Sequence, residues 1–258
     1  MGIVNVTPDS FSDGGRFLDS EAAVRHGVRL AEEGAALIDV GGESTRPGAA
    51  PVGLEEELRR VVPVIERLRS ATEAVISVDT SKPEVMRAAA AAGAGLVNDV
   101  RALREAGALE AAVESGCAVC LMHMRGEPRT MQLAPVYRDV VGEVGAFLAE
   151  RVRACRAAGL SAEQLVVDPG FGFGKTLDHN LTLLRGLREL ASAGPPVMVG
   201  LSRKSLVGKL TGRPGGERVL GSVVLAVMAT LAGARIVRAH DVAATVEALK
   251  LVAAVRES

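Results

Sequence analysis

The chain alternates short apolar segments with longer stretches in which apolar residues recur at helical spacing. Eight of the apolar segments lead directly into a polar residue. These residues are Asn5, Asp39, Asp79, Asn98, His123, Asp168, Ser202 and Arg238. Strands that are buried on both faces appear as continuous apolar runs, and eight of them alternating with helices are typical of a (β/α)8 barrel. The pattern predicts an α/β fold, a (β/α)8 TIM barrel, that forms one domain over residues 1–258.

The helical stretches carry signals that support the same fold. Apolar residues recur at helical spacing between Leu54 and Leu68, as expected of a helix that packs on a sheet. Ser81 and Glu84 have the spacing of a capping box at the start of the next helix. Glycine can end a helix in the left-handed conformation, and it stands at six predicted helix-to-strand junctions. These glycines are Gly34, Gly93, Gly116, Gly159, Gly194 and Gly233.

The strand-to-helix loops indicate where the chemistry lies. In a (β/α)8 barrel the carboxyl ends of all strands meet at one mouth, and active sites form there. Four of the loops that leave these ends are long or rich in glycine, whereas the opposite connections are short. They span residues 7–16, 43–53, 124–138 and 169–176. Long loops of small and polar residues on the catalytic face predict mobile lids.

One group of polar residues predicts an anion site. Ser202, Arg203 and Lys204 follow the seventh strand, and Arg238 and His240 follow the eighth. Phosphate sites of barrels often lie at these two strand ends. The helix that starts near Asp241 adds backbone donors and a positive dipole. An arginine at one strand end is usually a surface ion pair, but cationic groups on adjacent ends favour a bound anion.

A second group predicts a site for a flat heterocycle. Asp79, Asn98, Asp168 and Lys204 follow strands three, four, six and seven and should project into the same mouth. A carboxylate accepts two parallel N–H bonds, and an ammonium donates to a ring carbonyl or ring nitrogen. A metal cage is the alternative for these carboxylates, but a neighbouring ammonium would compete with the cation. The glycine-rich segment 170–175 lacks the order of a phosphate loop, and we interpret it as flexible, with Phe171 or Phe173 covering the ligand.

Composition excludes several classes of partner. The formal net charge is −1 and aromatic residues make up 2% of the chain, which argues against binding of nucleic acid. No apolar run has the length of a membrane span, and no signal peptide is apparent. Cys117 and Cys120 match a C-x-x-C spacing, but residues three apart in a strand face opposite sides, so buried thiols are favoured over a redox pair. The few cysteines, three in number, suit a reducing cytoplasm.

The stretch 217–231 is apolar on nearly all sides. An outer helix of a barrel should present polar residues to solvent. Burial under a neighbouring loop and burial in a subunit interface both explain the pattern. We favour an interface, which predicts a homodimer through the last barrel helices.

Several long motifs in collinear order resemble the dihydropteroate synthase family, whose members are pterin-binding barrels. The first two are GIVNVTPDSFSDGG at 2–15 and DVGGESTRPG at 39–48. The similarity continues through SVDTSKPEV at 77–85, CLMHM at 120–124, DPGFGFGK at 168–175, GLSRKS at 200–205 and RAHD at 238–241. It covers essentially the whole chain. Bacterial members have a short segment before the first strand that this sequence lacks, so closure at the bottom of the barrel is the point at which a difference is expected.

The resemblance implies a reaction and a set of residues. Diphosphate leaves a 6-hydroxymethyl-dihydropterin diphosphate, and the amine of p-aminobenzoate attacks the methylene carbon. The pterin pocket would contain Asp79, Asn98, Met122, Asp168, Phe173, Gly200 and Lys204. Asn5, Arg238 and His240 would hold the diphosphate, with Mg²⁺ bridging Asn5 to it. Phe11, Thr45, Arg46, Pro47 and Ser202 would surround p-aminobenzoate, and Asp13 would lie near the reacting carbon. The residues expected to act in catalysis are Asp13, Arg46, Lys204, Arg238 and His240.

Three other functions are compatible with parts of the pattern. A pterin-binding methyltransferase barrel shares the pterin pocket but needs neither a diphosphate site nor the STRPG loop. An aldolase-like barrel would use Lys204 as a Schiff-base nucleophile in an apolar setting, whereas Arg203 and Asp168 are expected near it. A pterin-binding paralogue without catalysis would have decayed loops, and both long motifs are intact.

Overall fold

The computed structural model describes residues 1–6, 16–44, 49–127 and 130–257. Strands and helices alternate through these segments. The strands are β1 (Gly2–Asn5), β2 (Leu37–Gly41), β3 (Val75–Asp79), β4 (Leu96–Asp99), β5 (Ala118–Met122), β6 (Leu165–Asp168), β7 (Met198–Val199) and β8 (Ile236–Val237). The helices are α1 (Arg16–Glu32), α2 (Leu54–Ala71), α3 (Pro83–Ala91), α4 (Ala108–Ser115), α5 (Val140–Ala157), α6 (Leu177–Arg185), α7 (Leu187–Ser192), α8 (Ser205–Thr211), α9 (Val219–Leu231) and α10 (Val242–Glu257).

The strands close into the predicted barrel. β1 to β6 pair in chain order, all parallel, and β7 pairs with β8. A parallel bridge between Val167 and Val197 joins β6 to β7, and another between Gly2 and Ala239 joins β8 to β1. The amide of Ala239 also donates to the Met1 carbonyl at 2.9 Å. The (β/α)8 architecture predicted from the apolar segments is therefore confirmed.

Alternation along each strand separates two interiors. On β2, Ile38 and Val40 pack in the apolar layer between strands and helices, while Asp39 lies on the opposite face, toward the barrel axis. One buried apolar cluster surrounds β1 to β5, and a second surrounds β6, β7 and helices α5 to α9. The helices supply most of the apolar burial, so the lumen side of the strand ends is available for polar groups.

Local predictions succeed except at two places. Five of the six junction glycines adopt positive φ, and Gly194, which follows the helix-ending Ala193 of α7, does not. The capping box at Ser81 is wrong. Lys82 holds the cap position of α3 without a side-chain bond, and the Ser81 hydroxyl donates to Asp99 instead. A buried carboxylate on the adjacent strand thus displaces the local cap.

The three cysteines are free thiols, as the sequence predicts, and all are buried. Cys120 lies near Asp168 and Asp39, and burial first, then these carboxylates, raises the pKa of its thiol. It therefore stays protonated and behaves as a small apolar group. Among the described residues, no helix is long and apolar enough to cross a bilayer.

Candidate active site

The parallel register brings the predicted polar residues together at the carboxyl ends of the strands. Asn5 pairs with Gly41, Gly41 with Asp79, and Asp79 with Asn98. Further along the sheet, Met122 pairs with Asp168. Residues that are 93 positions apart in sequence, Asn5 and Asn98, thus belong to one row across the barrel mouth. Gly41 leaves room within this row, since the side chains on either side of it are larger.

Asp39 is the central acceptor beneath this row, and its importance to the site is not evident from the sequence. It is fully buried, and its carboxylate accepts from Ser77 Oγ at 2.5 Å and from Asn98 Nδ2 at 3.0 Å. The apolar run before Asp39 made it look like the end of a strand, but β2 continues to Gly41. The available signal is the two-residue spacing from Gly41, which places Asp39 on the same face as the mouth residues.

Arg238 joins Asp39 to the predicted heterocycle group. Its Nε donates to Asp39 Oδ2 at 2.6 Å, and its second terminal nitrogen donates to Asp79 Oδ2 at 2.9 Å. The side chain is 21% exposed. Burial opposes the charge, but Asp39 and Asp79 outweigh it and raise the pKa of the guanidinium. A residue predicted to hold an anion is therefore also the counter-ion of two buried carboxylates.

Charges in the mouth are finely balanced near neutral pH. Burial raises the pKa of Asp79 to about 7, while Arg238 opposes and Asp39 adds to that shift. Burial lowers the pKa of Lys204 to about 8, and Asp168 opposes this change. Burial also raises the pKa of Asp168, against the amide of Gly170 and the charge of Lys204.

Lys204 is surrounded by the glycine-rich loop after β6. Its Nζ donates to the carbonyl of Phe171 at 2.5 Å and lies 4.0 Å from the centre of the Phe173 ring. The Phe171 side chain is buried in the outer apolar cluster and cannot cover a ligand in the mouth. Of the two alternatives, Phe173 is the one whose ring faces the site. Hydrogen bonds of Gly170, Gly172 and Lys175 hold the loop in the described conformation, and its flexibility stays a prediction.

Met122 and Gly200 also lie at strand ends. Met122 is buried at the end of β5 and packs with Phe173. Gly200 follows β7, and no atom lies within 4 Å of the position that a Cβ would take there. Met122 thus adds an apolar surface at the end of β5, and Gly200 leaves space at the end of β7.

The predicted anion residues lie beside this row. Ser202 Oγ is 3.0 Å from His240 Nδ1 and 3.1 Å from the His240 amide nitrogen, so Ser202 orients the imidazole. Arg203 turns away and pairs with Asp241. Asn5 and His240 line a cavity of about 590 Å³ that extends along the face of α1. Three basic residues of that helix, Arg25, His26 and Arg29, complete its wall and were not predicted.

The stem of the second long loop is anchored by a partly buried ion network. Lys82 Nζ contacts the carboxylates of Glu43 and Glu57, and Glu57 is 1% exposed. Thr80 Oγ1 donates to the same Glu57 at 2.6 Å. Glu43 is the first residue of this loop, so the ion pair with Lys82 fixes where the loop begins. Phe11, Asp13, Thr45, Arg46 and Pro47 lie outside the described residues.

The polar side chains at the mouth indicate how a divalent metal could be held there. Within the described segments, no three His, Cys, Asp or Glu side chains form a group that could hold a metal ion. Asn5 offers one neutral carboxamide oxygen at the cavity. These residues fit a cation that is held mainly by an anionic ligand, and they do not form a protein cage.

Comparisons with known proteins identify the family and the fold. The profile of the family described as "Pterin binding enzyme" matches residues 1–240. The dihydropteroate synthase of Escherichia coli K12 is 54% identical over 254 residues, which are 98% of this chain and 90% of that protein. The solved structure of Xanthomonas albilineans dihydropteroate synthase with 4-aminobenzoic acid has a TM-score of 0.95 and 57% identity, covering 100% of this chain and 93% of that one. The same enzyme in complex with 7,8-dihydropteroate gives a TM-score of 0.92 and 55% identity, with coverage of 100% and 93%.

Proposed function

The chain belongs to the pterin-binding enzyme family and is a dihydropteroate synthase by its relatives, and from this premise we propose how its residues share the reaction. The substrates are 6-hydroxymethyl-7,8-dihydropterin diphosphate and p-aminobenzoate, and the products are 7,8-dihydropteroate and diphosphate. The observation that carries the proposal is the group of buried polar residues at the strand ends, Asp79, Asn98 and Asp168, together with Lys204, Arg238 and His240.

The pterin is held by its donor and acceptor edges. Asp168 accepts from the 2-amino group and the ring N3–H, because a carboxylate matches two parallel donors. Lys204 donates to the ring carbonyl or a ring nitrogen, and Asn98 and Asp79 complete the edge. Met122, Phe173 and Gly200 line the faces of the ring. Support comes from the burial of these groups, since hydrogen bonds in a dry site discriminate strongly between ligands.

The diphosphate is held by Asn5, Arg238 and His240. A guanidinium has five N–H donors, so the contacts of Arg238 with Asp39 and Asp79 are compatible with a further contact to a phosphate oxygen. Its raised pKa keeps it charged throughout the reaction. Arg238 and His240 stabilise the negative charge that grows as the carbon–oxygen bond breaks, which is the principal electrostatic contribution to catalysis. Bound Mg²⁺ would neutralise part of the same charge.

The second substrate enters from the loops. Phe11, Thr45, Arg46 and Pro47 form the p-aminobenzoate pocket together with Ser202, and Asp13 stabilises positive charge near the methylene carbon. The basis for these residues is the family motif. Glu43, within that motif, is paired with Lys82. The arylamine is neutral at pH 7, so attack on the methylene carbon needs no strong base.

Incubation of the purified protein with both substrates and Mg²⁺ tests the function. We expect dihydropteroate and diphosphate to appear in equal amounts, measured by chromatography and a diphosphate assay. Pterin binding without product would identify a non-catalytic paralogue. Transfer of a methyl group from a reduced pterin would identify a methyltransferase barrel.

The metal is expected to bind only with the anion. Asn5 is a weak ligand by itself, so Mg²⁺ should be held mainly by diphosphate oxygens and water. Calorimetry should detect little Mg²⁺ affinity in the free protein and marked affinity in the presence of inorganic diphosphate. Asn5→Ala should weaken this ternary complex and lower turnover, while binding of a pterin without diphosphate stays nearly intact. Tight Mg²⁺ binding to the ligand-free protein would contradict the assignment and favour a cage of Asp79 and Asp168.

The protein is further proposed to act as a homodimer through α9 and α10. Leu220, Val224, Met228 and Leu231 on α9 are between 46% and 77% exposed, and Leu251 and Val255 extend the apolar surface on α10. An apolar patch of this kind favours burial against a second copy. Light scattering should give twice the monomer mass, and Val224→Glu should give a monomer. Val113→Glu on α4, where the valine is 37% exposed, is the control and should leave the mass unchanged.

A further inference from the structure

The glycine-rich loop after β6 lies directly on the chain that leaves β5. Gly170 and Gly174 both have positive φ, and a Cβ at either residue would overlap a backbone carbonyl oxygen, of His123 and Arg125 respectively. Only glycine permits such an approach. This compact path turns loop carbonyls inward, away from water, where each requires a donor.

Lys175 supplies these donors. Its Nζ is 2.9 Å from the carbonyl oxygen of Gly170, 3.1 Å from that of Phe173 and 3.0 Å from His123 Nδ1. The three acceptors match the three protons of an ammonium group, the form that Asp168 favours against the burial that lowers the pKa of Lys175 to about 7. The residue is 3% exposed. Burial, followed by the charge of Lys175, lowers the pKa of His123 to about 3, which keeps the imidazole neutral. In the tautomer protonated at Nε2, Nδ1 accepts from Lys175.

The same loop contacts Asp168 and Lys204 at the mouth of the barrel. The Gly170 amide donates to Asp168 Oδ1 at 2.7 Å, and the Phe171 carbonyl accepts from Lys204. The Phe173 ring faces the ammonium of Lys204. The two carbonyls that Lys175 binds belong to Gly170 and Phe173. The ammonium therefore holds in place the two residues that contact Asp168 and Lys204.

We propose that Lys175, with His123 as its acceptor, is a positioning residue for the pterin pocket, because it fixes the loop that orients Asp168, Lys204 and Phe173. The inference rests on the proposed pterin site. A buried ammonium is costly to maintain, and an apolar side chain would fill the same space if packing were its only purpose. Direct contact with substrate is not part of the role, since the three protons already have partners.

Lys175→Met tests this role, because methionine has a similar length and no charge. The probe is a pterin lacking the diphosphate, titrated by calorimetry, which reports the dissociation constant and the fraction of competent sites separately. We expect the dissociation constant to rise roughly tenfold or more, since loss of one charge-assisted hydrogen bond from Asp168 or Lys204 changes affinity by about this factor. Lys209→Met, an exposed lysine on α8, is the matched control and should bind like the wild type.

The possible results separate the role from a merely structural one. If Lys175 only stabilises the fold, the variant has fewer competent sites and a lower unfolding midpoint, while the remaining sites keep the wild-type dissociation constant. That result overturns the proposal. Should Lys175→Met fail to fold, His123→Leu removes one of the three acceptors and must weaken pterin binding in the same direction. A wild-type protein that does not bind the pterin would overturn the proposed function itself, whereas normal binding by both variants would overturn only the role of Lys175.

Discussion

Replacement of Arg238 by methionine will destabilise the protein and nearly abolish turnover. The change leaves Asp39 and Asp79 buried without their shared counter-ion, and breaking a buried ion pair in this way costs about 3–5 kcal/mol. Loss of one charge at the departing diphosphate should lower kcat by roughly 10²–10³-fold. Denaturant unfolding and steady-state kinetics measure the two effects.

The loss of stability should depend on pH. The pKa of Asp79 is already raised to about 7, and without Arg238 it rises further. The folded variant then binds more protons than the unfolded chain, so its stability falls as pH increases. The deficit relative to the wild type should therefore be smaller at about pH 5 than at about pH 8. Arg87→Met removes an exposed ion pair with Glu114 and should change neither quantity. A deficit independent of pH would show that Arg238 contributes through packing and not through its charge.

Asp168→Asn will weaken pterin binding by about 3 kcal/mol or more, which is roughly a hundredfold or greater. Oδ1 of Asp168 accepts from the Gly170 amide, and an asparagine oxygen can preserve that bond. The amide nitrogen then takes the place of Oδ2 and faces the donor edge of the pterin. The loop should therefore stay in place while the ligand meets a donor where it needs an acceptor.

A matched substitution at a buried aspartate outside the proposed pocket separates the effect on pterin binding from the effect on stability. Asp99 is also a buried aspartate at a strand end, but its carboxylate accepts from Ser81 and from the amides of Arg101 and Leu103 on the outer side of the barrel. Asp99→Asn should reduce the free energy of unfolding and leave the affinity for pterin unchanged. Calorimetric titration with a pterin compares both variants with the wild type. Unchanged affinity in Asp168→Asn would remove Asp168 from the pocket.

The sequence by itself determined that the chain forms a barrel and which polar residues lie at the mouth of the barrel. Apolar segments with polar ends identify buried parallel strands, and a closed barrel brings their carboxyl ends to one face whatever the details of packing. Asp79, Asn98, Asp168, Lys204, Arg238 and His240 could therefore be named together, and the collinear motifs gave them a family. Local rules worked where the neighbours are local, as at the glycines that end helices.

Only the tertiary structure decided which polar side chains form hydrogen bonds and ion pairs with each other. Arg238 and Asp39 are 199 positions apart, and their contact depends on strand register and on closure between β8 and β1, which no local pattern encodes. The same holds for Lys175. The sequence motif around it suggested only a flexible loop, whereas in the structure its ammonium contacts three acceptors from the segments that follow β5 and β6. Ser81 fits a capping box in sequence but donates to Asp99, because satisfying a buried carboxylate outweighs a cap that water can replace. Long-range electrostatics in a dry interior thus set the partners that periodicity alone cannot assign.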